Sequence, residues 1–253
     1  MKLIETYKSP NFNERIENQQ LRYLILHYTA MESCQEALEH MCKKKNKVSA
    51  HFLISKKGEI FYLVDLKKRA WHAGKSYWKG LINLNSSSIG IEIDNSGHHI
   101  FNENYNYLQI KSLCKLIKKL IKEYKIRPEN VLGHSDIAPF RKIDPGEKFP
   151  WKKLNENNLS YTPKIISKVK EGISSKITIK DQYKYKEDKE ILSMLGMIGY
   201  DTRGVKVEDL KFKLLIQAYQ RHHRQSNVLG DIDRETFKLI EQHYQDILKD
   251  ILT

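Results

Sequence analysis

Residues 131–151 have the sequence VLGHSDIAPFRKIDPGEKFPW, in which a short apolar run ends at His134 and a proline-bounded loop follows. Lys142 and Asp144 stand two residues apart, just before a Pro-Gly turn. Side chains at this spacing point to the same side of an extended chain, so these two are expected to face together. The turn-rich chain before them allows His134 to reach that side as well. An imidazole and a carboxylate are good zinc ligands, so the segment predicts part of a metal site.

The third ligand is predicted to be His27. It follows the apolar strand LRYLIL, residues 21–26, where a polar side chain must find a partner or face a site. The alternative is a structural histidine that only pairs with a neighbour. Three protein ligands with an open fourth position are the pattern of a catalytic zinc. His27, His134 and Asp144 therefore predict one zinc ion per chain.

Two charged residues are candidates for the chemistry beside such a metal. Hydrolysis of an amide needs a base that takes a proton from water and passes it to the leaving amine. Glu92 lies in the isoleucine-rich strand SSSIGIEIDN, residues 86–95, where desolvation would raise its pKa toward a useful range. The alternative is a glutamate that points to solvent. Lys142 would stabilise the oxyanion of the tetrahedral intermediate, and its alternative is a solvated loop lysine.

Charge narrows the class of partner. The chain has 253 residues, and its 44 Lys and Arg against 31 Asp and Glu give a formal net charge of +13. This suggests an anionic partner, or simply a lysine-rich solvated surface. A nucleic-acid partner rests on this charge alone and is not expected.

Cysteine usage and apolar runs bear on the compartment. The three cysteines form no CxxC pair and are interpreted as reduced thiols. No apolar run approaches the ~18 residues of a membrane span, so no integral membrane segment is expected. The first residues, MKLIETYKSPNFNER, show no apolar core of a signal peptide. The expected compartment is the cytoplasm, and the alternative is the periplasm or the exterior, reached by an unrecognised route.

Strand and helix patterns are interleaved over residues 1–156, which predicts an α/β domain. Residues 49–55 and 56–65 are predicted to form a hairpin around Lys57-Gly58. Residues 107–126 follow helical spacing, with lysines on the face opposite the apolar stripe. That lysine face is interpreted as solvated.

Composition changes after this domain. Residues 157–183 are polar and rich in Lys and Ser, which is typical of a linker. Residues 184–253 contain three short helical patterns and predict a small three-helix domain. Asp233 is the expected N-cap of the third helix. Four histidines in polar surroundings are expected to be exposed: His40, His98, His99 and His243.

Five sequence blocks resemble the zinc N-acetylmuramoyl-L-alanine amidases of the AmpD type, the amidase-2 family. They occur in the family's order: HYTA at 27–30, SAHFLI at 49–54, AWHAG at 70–74, SIGIEIDN at 88–95 and GHSDIAPFRKIDPG at 133–146. The resemblance covers roughly residues 20–153. It implies a mixed central sheet flanked by helices, as in the related peptidoglycan recognition proteins.

The resemblance also implies roles for individual residues. The family's three metal ligands correspond to His27, His134 and Asp144, and its catalytic pair corresponds to Glu92 and Lys142. The remaining matches predict contact with the substrate: Tyr28, Trp71 and His72. All five ligand and catalytic positions are intact, which favours an active enzyme.

The C-terminal part resembles the peptidoglycan-binding domain of the longer AmiD-type members, through LGMIGYD (195–201), AYQRHHR (218–224) and GDIDRET (230–236). The expected function is hydrolysis of the amide between N-acetylmuramic acid, or its 1,6-anhydro form, and L-alanine. The expected partner is peptidoglycan or a soluble muropeptide. The alternative is a non-catalytic module that binds cell-wall fragments in the same groove.

Overall fold

The structure is a computed structural model that describes residues 2–165 and 184–252, with the backbone alone for residues 184–187. Nine short strands are β1 (Phe12–Glu14), β2 (Tyr23–Tyr28), β3 (Phe52–Ile54), β4 (Ile60–Tyr62), β5 (Lys68–Ala70), β6 (Tyr77–Trp78), β7 (Leu81–Ile82), β8 (Ser88–Ile93) and β9 (Val131–Gly133) in the described residues. The α-helices there are α1 (Cys34–Cys42), α2 (Tyr107–Tyr124), α3 (His134–Ile137), α4 (Trp151–Glu156), α5 (Lys184–Ile198), α6 (Leu210–His223) and α7 (Arg234–Leu252).

A five-stranded mixed sheet in the order β4-β3-β8-β2-β9 forms the centre of the fold. Strands β3, β8, β2 and β9 pair in parallel, and β4 pairs antiparallel with β3. The central strands β2 and β8 are nearly continuous apolar runs, because both faces of a parallel sheet are covered. The predicted α/β class with a mixed sheet is confirmed.

Strand register brings the two predicted site strands together. In the parallel pairing of β2 with β8, His27 lies opposite Glu92. On the other side of β2, Leu26 lies opposite Gly133, the residue before His134. The ends of three neighbouring strands therefore meet at one edge of the sheet.

Helix α2 covers one face of the sheet. Alternate strand residues such as Leu24 and Ile91 pack against its buried stripe, which includes Leu113 and Leu120. Asn106 caps the helix by accepting a hydrogen bond from the amide of Leu108. Its five outer lysines are exposed, as expected: Lys111, Lys115, Lys118, Lys119 and Lys122.

Helices α5, α6 and α7 pack on the opposite face. The intervening strand residues, such as Ile25 and Leu132, belong to one apolar cluster with Leu195, Leu215 and Ile240 of the three helices. Residues 184–252, which we call the C-terminal helical unit, therefore share a continuous core with the sheet. Most of the predicted linker, residues 166–183, lies outside the described residues, and the domain boundaries stay a prediction.

Several local expectations are confirmed. β3 and β4 form the hairpin around Gly58, whose φ of +82° suits a glycine in the turn. Asp233 Oδ1 accepts a hydrogen bond from the amide of Thr236, as an N-cap does.

The expectation of an exposed His243 is wrong. It is 6% exposed and packs against Tyr161 and His223. The polar residues around it in the sequence lie on the other faces of α7.

Within the described residues, no helix combines the length and apolar composition needed to cross a bilayer. The compartment stays a prediction.

Candidate active site

Three predicted ligand atoms meet at the edge of the sheet. His27 Nδ1 lies 2.9 Å from His134 Nδ1, and Asp144 Oδ2 lies 3.0 Å from each of them. All three residues are buried. Tetrahedral zinc with bonds of about 2.1 Å would place its ligands roughly 3.4 Å apart, close to the observed triangle. The group can therefore hold a small metal ion.

Each predicted ligand comes from a different local structure. His27 is the fifth residue of the six-residue strand β2, and His134 is the first residue of α3, directly after β9. Asp144 lies in the Pro-Gly turn and is tied back because its carbonyl accepts a hydrogen bond from the amide of Ser135, 2.9 Å away. The fold thus brings together residues up to 117 positions apart.

A hydrogen-bond chain orients the His27 ring. Ser88 Oγ donates to the Leu84 carbonyl at 2.6 Å and is therefore free to accept from His72 Nε2 at 3.2 Å. His72 Nδ1 then accepts from His27 Nε2 at 3.0 Å. The proton of His27 is held on Nε2, and the lone pair of Nδ1 faces the ligand triangle.

His134 is oriented in the same sense. Its Nε2 lies 3.1 Å from the Ala73 carbonyl, which can only accept, and 3.2 Å from Nη2 of Arg141, which can only donate. Metal binding through Nδ1 would require the proton on Nε2, and the Ala73 carbonyl can accept it. Burial, and then the neighbouring His134, lower the pKa of His27 to about 4. A neutral imidazole with a free Nδ1 is the form that a metal requires.

Glu92 and Lys142 border the same site. Both line a cavity of about 200 Å³ together with the three ligand residues. Burial, and then the Asp144 carboxylate, raise the pKa of Glu92 well above its ordinary value, and the charge of Lys142 opposes this only in part. Within the described residues, Glu92 Oε2 is buried without a hydrogen-bond partner. The carboxylate is therefore available to a water molecule or a substrate.

The predicted substrate-contacting residues occupy different places. Tyr28 and His72 line the cavity, whereas Trp71 is not among its lining residues. Trp71 Nε1 donates instead to Asn13 Oδ1 at 2.9 Å. His72 lies behind His27 and acts on that ring directly. Substrate contact by these three residues stays a prediction.

Two residues of the site were not predicted from the sequence. Ser88 completes the chain to His72, and Gly90 gives the His72 ring its space. A Cβ atom at Gly90 would lie 2.4–2.7 Å from three atoms of that ring. A glycine inside an apolar strand indicates a close approach of this kind, so the sequence contained a signal for Gly90.

Comparison with known proteins identifies the family. Residues 17–147, just over half of the chain, match the family described as N-acetylmuramoyl-L-alanine amidase. The chain belongs to this family. The match includes the three ligand residues together with Glu92 and Lys142.

Relatives of this amidase extend the match beyond that region. AmiD of Escherichia coli is 32% identical over 242 residues, which are 89% of this chain and 84% of the relative. The 1,6-anhydro-N-acetylmuramyl-L-alanine amidase AmpD of Haemophilus influenzae is 34% identical over 164 residues, 58% of this chain and 87% of the relative.

Solved structures match over nearly the whole amidase. The E. coli AmiD complex with the substrate anhydro-N-acetylmuramic acid-L-Ala-D-γ-Glu-L-Lys has a TM-score of 0.74 and 29% identity. The match covers 93% of this chain and 98% of that one. Pseudomonas aeruginosa AmpDh3 in complex with an anhydromuramic pentapeptide has a TM-score of 0.75 and 29% identity, over 96% and 99% of the two chains.

Proposed function

We propose that this amidase hydrolyses the amide between the lactyl carboxyl group of N-acetylmuramic acid, or its 1,6-anhydro form, and L-alanine of the stem peptide. The observation that carries the proposal is the convergence of His27, His134 and Asp144 beside Glu92 and Lys142 in one cavity. Peptidoglycan or its soluble fragments are the proposed partners. The anhydromuramyl peptides bound to two related amidases support this substrate class.

The proposed metal is zinc, one ion per chain. His27 and His134 would hold it through Nδ1 and Asp144 through Oδ2, a donor set that zinc favours. When bound, zinc lowers the pKa of water to about 7 and polarises a carbonyl group. The hydrogen bonds to His72 and to the Ala73 carbonyl keep the two imidazoles in the required orientation.

Two side chains of the protein, Glu92 and Lys142, carry out the remaining steps. Glu92 takes the proton of the attacking water and delivers it to the nitrogen of the leaving L-alanine. Its raised pKa suits a group that must both accept and release a proton. The Lys142 ammonium stabilises the negative charge that develops on the carbonyl oxygen of the substrate.

Analysis of products tests this function directly. Purified protein is incubated with intact sacculi and, separately, with a soluble anhydro-muropeptide, and the released stem peptides are separated by chromatography. We expect release from at least one substrate, its loss on chelation of the metal and its recovery on addition of zinc. Tight binding with no released peptide at saturating zinc would instead identify a binding module.

A further inference from the structure

Asp136 is a fully buried carboxylate that is not a metal ligand. It lies two residues after His134 and has 0% exposure. Its Oδ2 accepts a hydrogen bond from the amide of Gly133 at 2.7 Å, which joins the end of β9 to the start of α3. A buried carboxylate is costly unless its oxygens are hydrogen-bonded, so its other partners decide whether this turn is stable.

Both other partners come from the C-terminal helical unit. Tyr200 donates its hydroxyl to Asp136 Oδ1 at 2.7 Å. His222, near the end of α6, bonds Asp136 Oδ2 through Nδ1, also at 2.7 Å. The two donors are held in place by aromatic contacts, because His222 stacks on Trp151 at 3.6 Å between ring centroids and Tyr200 meets Trp78 edge-on.

The helical unit also contacts the chain on the C-terminal side of Asp144. The side-chain amide of Gln225 donates to the carbonyl of Glu147 at 2.7 Å and also to the carbonyl of Phe149. The helical unit thus holds residues 133–149 on both sides of the turn that presents Asp144.

This segment needs support from outside because it has little structure of its own. Helix α3 is four residues long, too short to be stable in isolation. An irregular loop joins it to Asp144. His27, in contrast, is fixed within a strand that pairs on both sides. The ligands on residues 133–149 therefore depend on neighbouring elements in a way that His27 does not.

We propose that the C-terminal helical unit is a positioning element of the metal centre, and that Tyr200, His222 and Gln225 are its positioning residues. Through Asp136 and the carbonyls of residues 147 and 149, they hold His134 and Asp144 at the spacing that one metal ion requires. The inference rests on the proposed function for its activity readout, but its metal-binding readout is independent of turnover.

The test uses full-length protein with Tyr200→Phe, His222→Phe and the double variant. Each substitution keeps a ring in place and removes the hydrogen bond to Asp136. Tyr219→Phe is the matched control, because the Tyr219 hydroxyl is fully buried on α6 without a hydrogen-bond partner within the described residues. This control variant loses a hydroxyl oxygen from the same core, but it keeps every hydrogen bond to residues 133–149.

Zinc affinity is measured by competition with a chelator, and the ligand geometry by the visible spectrum of the cobalt-substituted protein. We expect the double variant to bind zinc at least roughly tenfold more weakly, as when a partner outside the ligand shell is lost. We expect a changed cobalt spectrum and a kcat on a soluble anhydro-muropeptide that falls more than KM rises. The control should match the wild type in all of these.

Two results separate the possible failures. If the double variant has a lower melting temperature but wild-type zinc affinity and cobalt spectrum, the contacts serve stability alone and the inference is wrong. If the wild-type protein releases no stem peptide, the proposed function fails, while the zinc and cobalt measurements still decide whether the helical unit positions the ligands.

Discussion

At the scale of single residues, the site consists of one candidate metal-binding triangle and two charged side chains that are not part of it. His27 presents Nδ1 because His72 engages its other nitrogen. Glu92 lies beside His27 across paired strands, and its Oε2 has no partner within the described residues. Metal binding and proton transfer are thus assigned to different residues, and substitutions should separate them.

Removal of a ligand should abolish metal binding. His27→Ala and His134→Ala each leave two protein ligands, too few for a catalytic zinc site. We expect less than one-tenth of the wild-type zinc by elemental analysis after dialysis. His99→Ala, at an exposed position, is the control and should retain its zinc. A full zinc complement in His27→Ala would contradict the ligand assignment.

Glu92→Gln should retain zinc and lose turnover. The substitution keeps the shape of the side chain but removes the proton acceptor, and positioned acid–base catalysis is typically worth ~10²–10⁴-fold in rate. The measurement is kcat on a defined muramyl peptide at a known zinc content. A zinc-replete variant with nearly wild-type kcat would show that Glu92 is structural.

Lys142→Met should have a different kinetic signature. Its charge acts on the oxyanion, which forms in the transition state, and loss of one such stabilising group typically costs ~10²–10³-fold in kcat. KM should change far less than kcat. Steady-state kinetics on the same peptide measure both constants. A rise in KM at constant kcat would instead assign Lys142 to substrate binding.

At the scale of elements, one face of strand β8 packs in the core and the other face borders the site. Ile89, Ile91 and Ile93 face the apolar core with α2, whereas Gly90 and Glu92 face the site. The glycine leaves room for the His72 ring, and the hydrogen-bond chain to His27 depends on that ring. A single strand therefore contributes to the core, carries the proposed proton-transfer group and leaves room for the ring that contacts a proposed ligand.

Gly90→Ala should disturb the metal site through β8. The new Cβ would overlap the His72 ring, and overpacking of a core typically costs about 1–3 kcal/mol in the free energy of unfolding. We expect lower stability in urea and weaker zinc binding. In a His72→Ala background the ring is absent, so the same substitution should cost much less. Equal losses in the free energy of unfolding in the two backgrounds would exclude the clash with the His72 ring as the cause.

At the scale of the whole molecule, the helices on the second face of the sheet continue its core and contact residues 133–149, which carry two of the proposed ligands. One apolar cluster includes residues of the sheet, α3 and α5 to α7. Ionisable groups are buried within this arrangement, most clearly the histidines of the helical unit. Its stability should therefore depend on pH.

His243 makes this dependence testable. Burial, and then His222, lower its pKa to about 3, against about 6.5 in an unfolded chain. The folded state keeps the ring neutral, so its contribution is complete above about pH 6.5 and is lost as pH falls toward 3. The loss should reach the order of a few kcal/mol. His51, also with a pKa lowered to about 3, acts in the same direction.

The measurement is the free energy of unfolding by urea at pH 7 and pH 4.5. His243→Phe keeps a ring beside Tyr161 and Tyr219 and should show a smaller fall than the wild type. His99→Phe, at an exposed position, should show the wild-type fall. Identical pH dependence in wild type and His243→Phe would mean that His243 is accessible to protons in the folded state.

Local patterns in the sequence were sufficient for much of the fold. The Asp233 cap, the hairpin at Gly58 and the lysine-covered helix α2 depend on residues a few positions apart, and each is confirmed. His27 is predicted to be a ligand because a polar residue directly after a fully apolar run must find a partner or face a site. His134 and Asp144 are predicted from the chemistry of their side chains, and the resemblance to the family's sequence blocks implies the same three ligands.

The tertiary structure alone decided the features that depend on distant parts of the chain. His243 was expected to be exposed and is buried, because the packed face of α7 depends on α5 and α6 and not on its neighbours in sequence. Asp136 meets Tyr200 and His222 across 64 and 86 residues. Such pairs leave no periodic signal, since a hydrogen bond between distant residues is specified by how whole elements pack. The sequence by itself therefore predicted the three candidate ligands, and the packing of the helical unit decided which residues contact the segment that carries His134 and Asp144.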